Sequence, residues 1–258
     1  MSDLHRNETN LVDVHTHILP GIDDGARDLE ETESLLRVSF RQGVRHIWAT
    51  PHFNPRKDDP AMFLVRRAQA SALLCRLWQP DTMPAVYLGA EVTYFYGIGR
   101  CEAVRDLCLS GTEYILVEMP AVEWSPDVVN DLLLLHYTLG LKPIIAHVER
   151  CIFLQSKKVS RHLVEEGILF QCNARFLGNT EEHGREVKTL LKEDMVDLIA
   201  SDCHNLHTRK PNLPVGLRGL EELAGREKIE NINKRALAIT REAVSILPGG
   251  ERKSLANG

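Results

Sequence analysis

His15 and His17 stand two residues apart in Asp13-Val14-His15-Thr16-His17, and they open a series of imidazoles and carboxylates spread along the chain: His52, Glu91, Glu118, His147, Asp202 and His204. Nitrogen and oxygen donors with few thiolates suit manganese, iron or zinc and do not select sharply among them. Clustered divalent ions lower the pKa of a bridging water and neutralise phosphoryl charge, so the chemistry these residues could support is metal-assisted hydrolysis of a phosphate ester. A lone H-x-H motif is more often two exposed or capped histidines. The argument rests instead on a donor at nearly every turn of the fold. Gly21-Ile22-Asp23-Asp24-Gly25 adds either Asp23 or Asp24. Asp24 is the preferred ligand, although the segment also reads as an Asp-Gly turn.

The elements that must position these groups repeat along the chain. Strand-like runs at Leu11–His15, Val44–Ala49, Ala85–Glu91, Tyr114–Glu118, Pro143–His147, Ile168–Asn173 and Val196–Ser201 alternate with helix-like runs. Asp28 starts the first helix, with Glu31 three residues on as a capping box, and Ser125-Pro126 starts a later one with serine at N-cap and proline at N1. Ala61–Trp78, Val159–Glu166 and Glu186–Glu193 are the other helices, and the stretch after Ser201 reads as helical until Pro248-Gly249-Gly250. Continuous apolar strands alternating with helices imply a parallel sheet covered on both faces, as a closed barrel or an open doubly wound sheet. In either architecture side chains at the carboxyl ends of strands converge on one face. Six of the seven expected strands end in an imidazole or carboxylate, and the sixth in order ends in Asn173. His5, His46, His136, His162 and His183 lack that context and read as surface or helix residues, while His207 stays undecided.

Composition narrows the class. At 258 residues, 43% hydrophobic and 26% charged, the chain fits an ordinary globular domain. No run approaches the roughly eighteen apolar residues of a membrane span, and the first ten residues lack the apolar core of a signal peptide. The expected compartment is the cytoplasm, with a polar lead over residues 1–10, one domain over 11–247 and a flexible tail over 248–258. A net charge of -5 argues against a general nucleic-acid binder. The six cysteines show no C-x-x-C spacing, so zinc-ribbon and thioredoxin readings fail, and most are expected to be small buried hydrophobes.

Five segments carry a family resemblance: Asp13–Gly25, Ala49-Thr-Pro-His52, Gly89-Ala-Glu91, Ala146-His-Val-Glu-Arg150 and Ser201-Asp-Cys-His-Asn205. In this order the chain resembles the PHP (polymerase and histidinol phosphatase) superfamily. Its Asp-Asp-Gly and Ala-His-x-Glu-Arg elements look most like the bacterial manganese-dependent protein-tyrosine phosphatases linked to capsular and exopolysaccharide synthesis. The resemblance implies a distorted (β/α)7 barrel and three divalent ions, with Mn2+ first and iron or zinc as alternatives. One ion would take His15, His17, Glu91 and Asp202, a second Glu91, Glu118 and His147, and the third Asp24, His52 and His204. Arg150 and Arg209 match the family's phosphate-binding positions, and the implied partner is a bacterial tyrosine kinase. The chain departs from the pattern at Val148, where proline is usual, and at Cys203, where a small residue is usual.

Two other enzymatic readings and one silent one stand beside this. Cys203 and Arg209 have the C-x5-R spacing of cysteine-dependent tyrosine phosphatases, but the loop has no glycine and Asp202 would oppose a thiolate. A small-molecule phosphatase, such as one acting on histidinol phosphate, would use the same metal cluster, because specificity lies in the loops. Residues 54–60 and 94–100 are expected to line the entrance, with Phe53, Tyr94, Phe95 and Tyr96 as candidates to cradle a phenol ring. A non-catalytic, metal-stabilised regulatory module is the third possibility; the complete ligand set argues against it.

Overall fold

The computed structural model describes residues 10–178, 184–243 and 245–247. The expected lead, except Asn10, and the expected tail over 248–258 lie outside them, as do His5 and His183. The elements follow one another as β1 (Leu11–Thr16), α1 (Leu29–Arg41), β2 (Val44–Ala49), β3 (His52–Phe53), α2 (Pro60–Leu77), β4 (Ala85–Leu88), β5 (Glu91–Thr93), β6 (Tyr114–Glu118), α3 (Pro126–Tyr137) and β7 (Lys142–Ile145). They continue with α4 (Lys157–Glu165), β8 (Leu169–Asn173), α5 (Ala174–Gly178), α6 (Gly184–Lys192), β9 (Leu198–Ala200), α7 (Leu213–Ala224) and α8 (Arg226–Glu242). Among the described residues no helix is long and apolar enough to cross a membrane.

Every strand pairing is parallel, in the orders β1-β2-β4 and β3-β5-β6-β7-β8-β9. The nine segments occupy seven positions, because β2 runs on into β3 across Thr50-Pro51 and β4 into β5 across Gly89-Ala90. The sheet curls until its last position meets its first: Thr16 bridges Cys203, and Asp202 N donates to His15 O at 3.0 Å. The sequence reading of seven strands therefore holds, with two of them broken next to a site residue.

Two apolar layers follow from this curl. Val12, Val14, Trp48, Leu116, Ile144, Leu198 and Ala200 come from different strands and form one buried cluster inside it, joined by Ala236 and Ile239 of α8. The Trp48 indole N–H donates to Thr240 Oγ1 at 3.0 Å, which anchors α8 across that end. The larger cluster lies between strands and helices and includes Leu35, Phe63, Leu132, Leu163 and Phe170.

Local expectations were met unevenly. Asp28 caps α1 by accepting from Glu31 N at 2.9 Å, but the Glu31 carboxylate turns to Arg27 N and Nε instead of the N-cap amide, so the capping box is incomplete. Ser125 occupies the N-cap of α3 without a side-chain bond, and Pro126 provides the start. The C-terminal helical stretch is two helices, divided at Gly225, whose φ of 82° no β-carbon residue adopts cheaply. Helix α5, directly after β8, was not foreseen. His46 lies on β2 bonded to Tyr87 Oη, not on the surface or a helix.

Candidate metal centre

The first pair of histidines reaches the site through a fault in its strand. On β1 the register moves three residues, from Asp13 to Thr16, while β2 moves two, from Ile47 to Ala49. This bulge reverses the alternation. Val12 and Val14 fill the interior cluster, yet His15 and His17 also face inward, their Nε2 atoms 3.1 Å apart. At the other strand ends the turn is made by backbone dihedrals: His147 has a φ of 31° and Asp202 one of 52°. Left-handed conformations at non-glycine residues cost about 1–3 kcal/mol each and cluster at functional sites. Gly25 serves the same centre, because a β-carbon there would lie 2.1 Å from His17 O.

All nine expected donors come together. Glu91 Oε2 lies 3.3 Å from both His15 Nε2 and His17 Nε2 and 2.9 Å from His52 Nδ1. Its other oxygen is 2.7 Å from His147 Nε2, which is 3.7 Å from Glu118 Oε1. Asp202 Oδ1 is 3.6 Å from His15 Nε2 and 3.5 Å from His17 Nε2. Asp24 Oδ1 sits between His52 Nε2 at 3.3 Å and His204 Nε2 at 3.4 Å. Three sets of ligand atoms lie within 4.8 Å of one another: His15, His17 and Asp202; His52, Glu91 and Glu118; and His17, Asp24, His52 and His204. These sets overlap the expected ones but share His17 and His52 more widely. His15, His17, Glu91, His147, Asp202 and His204 are buried, whereas Asp24 is exposed.

The donor set fits divalent cations on its own terms. Glu91 Oε2 and His204 Nε2 are buried without a hydrogen-bond partner, and such atoms are costly unless something binds them. Burial opposes charge on Glu91 and Asp202, but His15 and its neighbours outweigh it and hold both carboxyls well below their usual range. The same carboxylates raise His15 and His17 above an ordinary histidine despite burial. His204 goes the other way, down to about 3, through burial and then the His17 charge. Anionic carboxylates around imidazole nitrogens bind a divalent ion in place of those protons.

A ring of polar groups holds the donors. Asp23 accepts from His17 Nδ1 at 2.7 Å, His52 N at 3.0 Å and Gly25 N at 3.0 Å, so of the two adjacent aspartates it orients and Asp24 faces the nitrogens. Gln171 Oε1 accepts from His15 Nδ1 at 3.0 Å and His147 N at 2.9 Å. Its Nε2 donates to Asn173 Oδ1 at 3.0 Å, and Asn173 Nδ2 donates to Asp202 Oδ2 at 2.8 Å. Sequence reasoning noticed Asn173 only as a polar strand end and missed Gln171. The signal was present, since Gln171 and Asn173 are alternate residues of one strand.

Arg150 and Arg209 both reach this centre. Arg150 Nη2 donates to Asp202 Oδ2 at 2.9 Å, and Arg209 Nη2 donates to both Asp202 oxygens at 2.8 and 2.9 Å. Arg209 Nη1 is 3.6 Å from Asp24 Oδ2. Of the entrance aromatics, Phe53 is buried edge-on against Phe63 and is plain packing. Tyr94, Phe95 and Tyr96 do line a cavity, together with Asn54, Arg56 and Pro120. His207 is exposed, with its backbone N–H taken by Asn205 Oδ1.

Cys203 stands apart from this chemistry. It is fully buried in the layer between strands and helices, and burial, followed by the Asp13 charge, pushes its thiol far up. The Cys203–Arg209 loop spends its amides internally: His204 N and Asn205 N donate to Arg209 O, while His207 N, Thr208 N and Arg209 N donate to Asn205 Oδ1. No phosphate cradle remains, and the cysteine-nucleophile reading falls. Cys203→Ser should retain phosphatase activity within about threefold of the parent, measured at saturating metal, because a buried thiol of this kind is inert. Abolition of activity in a folded variant would restore the thiol to the mechanism.

Residues 11–238 match the family model described as "Capsular polysaccharide synthesis, CpsB/CapC". The chain is 35% identical over 228 residues to tyrosine-protein phosphatase YwqE of Bacillus subtilis, covering 84% of this chain and 86% of the relative. It is 31% identical over 216 residues to tyrosine-protein phosphatase CpsB of Streptococcus pneumoniae, covering 78% and 86% respectively. A solved structure of YwqE and CpsB, described as unique metal-dependent tyrosine phosphatases, superposes with a TM-score of 0.78 at 29% identity, over 92% of this chain and 96% of that one.

Proposed function

The chain belongs to the CpsB/CapC family of capsular polysaccharide synthesis, and from that premise we propose that it hydrolyses phosphotyrosine in proteins at a centre of three divalent ions. The observation that carries the reading is the convergence of nine imidazoles and carboxylates on the inner rim of the curled sheet, with two arginines on the same carboxylate. On this reading the sheet is a distorted (β/α)7 barrel of the PHP type. One ion is held by His15, His17, Glu91 and Asp202, a second by Glu91, Glu118 and His147, and the third by Asp24, His52 and His204. Manganese is the first metal to test, and the phosphotyrosine belongs to a cytoplasmic bacterial tyrosine kinase.

When bound, the ions activate water and neutralise the charge of the phosphoryl group. The side chains supply the rest. Arg150 and Arg209 hold phosphoryl oxygens through planar N–H pairs and stabilise the charge that grows on them during displacement. Asp202 fixes both guanidinium groups before substrate arrives, which lowers the cost of ordering them. A cavity of about 240 Å3 beside His147 and Arg150, walled by Met119, Pro120 and Ala121, suits the apolar ring of the phenol. A phenolate has a pKa of about 10, so it leaves with less help from a proton donor than an alkoxide does.

The test is hydrolysis of a phosphotyrosine peptide by purified protein before chelation, after it, and after adding manganese. Activity is expected to vanish with chelator and return with manganese. Activity indifferent to chelator would contradict the metal reading. Inactivity toward the peptide with metal bound, alongside turnover of a small phosphate ester such as histidinol phosphate, would reassign the substrate.

A further inference from the structure

Three cavities meet at Thr93. The first is the one beside Arg150, and a second of about 420 Å3 runs past Asp24, His52 and Lys57. The third, of about 430 Å3, is lined by Asn54, Arg56, Tyr94, Phe95, Tyr96 and Pro120 and contains none of the metal-site donors. It opens from the reaction centre toward solvent, where Tyr96 is 78% exposed.

The charges around this third cavity are uneven. Arg56 is the only charged side chain in its lining, and Lys57 follows on the rim of the second cavity. Both project from a turn tied at its two ends. Lys57 N and Asp58 N donate to Asn54 O, Arg56 N donates to Asn54 Oδ1, and Asn54 N donates to Asp58 Oδ2. Neighbouring charges are already paired: Arg66 with Asp58, and Arg100 with Asp131 at 3.7 Å. Asp131 also accepts from Tyr94 Oη and Gly97 N. Among the described residues neither Arg56 nor Lys57 has a carboxylate within ion-pair distance. A chain of net charge -5 thus presents two unpaired cations at the mouth of its own site. Cations at a rim steer and orient an anionic partner.

We propose that this lobe is a peptide subsite that takes an aspartate or glutamate flanking the phosphotyrosine, its carboxylate on Arg56 and Lys57 and its backbone along Tyr94–Tyr96. The proposal rests on the phosphotyrosine reading above and extends it from the phosphoryl group to the residues beside it. The lobe's apolar and aromatic walls accept the stem of such a residue, while the absence of any carboxylate in the lining leaves no repulsion to overcome. A basic flanking residue meets like charge at the same place.

The experiment compares two phosphotyrosine peptides, identical except for glutamate or lysine at the flanking positions, on the manganese-loaded protein, with p-nitrophenyl phosphate as a reference that has no flanking residues. The parent should favour the glutamate peptide about fivefold in kcat/KM, mostly through KM, as befits exposed charge pairs. The preference should shrink in about 0.5 M salt. In Arg56→Glu, and more fully in Arg56→Glu with Lys57→Glu, the ratio of glutamate to lysine peptide should fall below one. Equal use of the two peptides by the parent, or an unchanged ratio in the double variant, would overturn the subsite. Failure to hydrolyse any of the three substrates would remove the phosphatase reading and the subsite with it, whereas turnover of p-nitrophenyl phosphate without peptide discrimination would remove the subsite alone.

Discussion

Asp202→Ala should lower kcat/KM for a phosphotyrosine peptide by at least about 10³-fold, or about 4 kcal/mol, with no rescue by excess manganese. One carboxylate does several jobs there. Its Oδ1 faces His15, His17 and His204 at 3.5–3.6 Å, and its oxygens receive Arg150, Arg209 and Asn173 at 2.8–2.9 Å. Removing it takes away a donor to metal and releases both phosphate-binding guanidinium groups at once. Alanine also tolerates a φ of 52° less well than aspartate, so a folding cost is expected as well. Thermal melting of the metal-loaded variant separates the two effects. Asp202→Asn keeps the shape but sets an amide against two arginines, and it should lose nearly as much. An Asp202→Ala protein that binds manganese normally and turns over peptide within tenfold of the parent would sink the assignment.

Why most of this centre was legible beforehand, and part was not, follows from what kind of interaction places each residue. His15, His52, Glu91, Glu118, His147 and Asp202 end apolar strands, and apolar runs are the part of a parallel sheet that sequence displays best. Knowing that such ends converge was enough to group them. The bulge in β1 left no signature, because an extra residue among Val14, His15 and Thr16 looks like any other strand. The left-handed turns at His147 and Asp202 were equally hidden, since glycine, the residue that advertises that conformation, is absent at both. Asp23 and Asp24 were separable only in three dimensions: one lies beneath His17 Nδ1 and the other between His52 and His204. Phe53 was misread as a substrate contact because aromatic character says nothing about which face of a two-residue strand is buried.

Gln171→Leu should weaken manganese binding about 10- to 100-fold while leaving turnover at saturating manganese within severalfold of the parent. Strand β8 places no imidazole or carboxylate in the centre; it carries amides at alternate positions instead. The orientation of the Gln171 amide is settled by its neighbours, since His147 N can only donate and therefore faces Oε1. His15 Nδ1 must then carry its proton toward the same oxygen, which leaves Nε2 free as a donor to metal. Through Asn173 the same side chain reaches Asp202, so a single residue steadies donors on β1 and after β7 and β9. Leucine removes the acceptor and strands the buried His147 N–H, at a stability cost of about 1–3 kcal/mol. Because the donors themselves remain, excess manganese should restore function, unlike the Asp202 variant. Gln171→Glu keeps the acceptor but loses the donor to Asn173, and its affinity should fall between the two. The decisive reading is the midpoint of a manganese titration: a merely structural role would lower activity at every metal concentration without moving that midpoint, whereas a positioning role shifts the midpoint and spares the plateau.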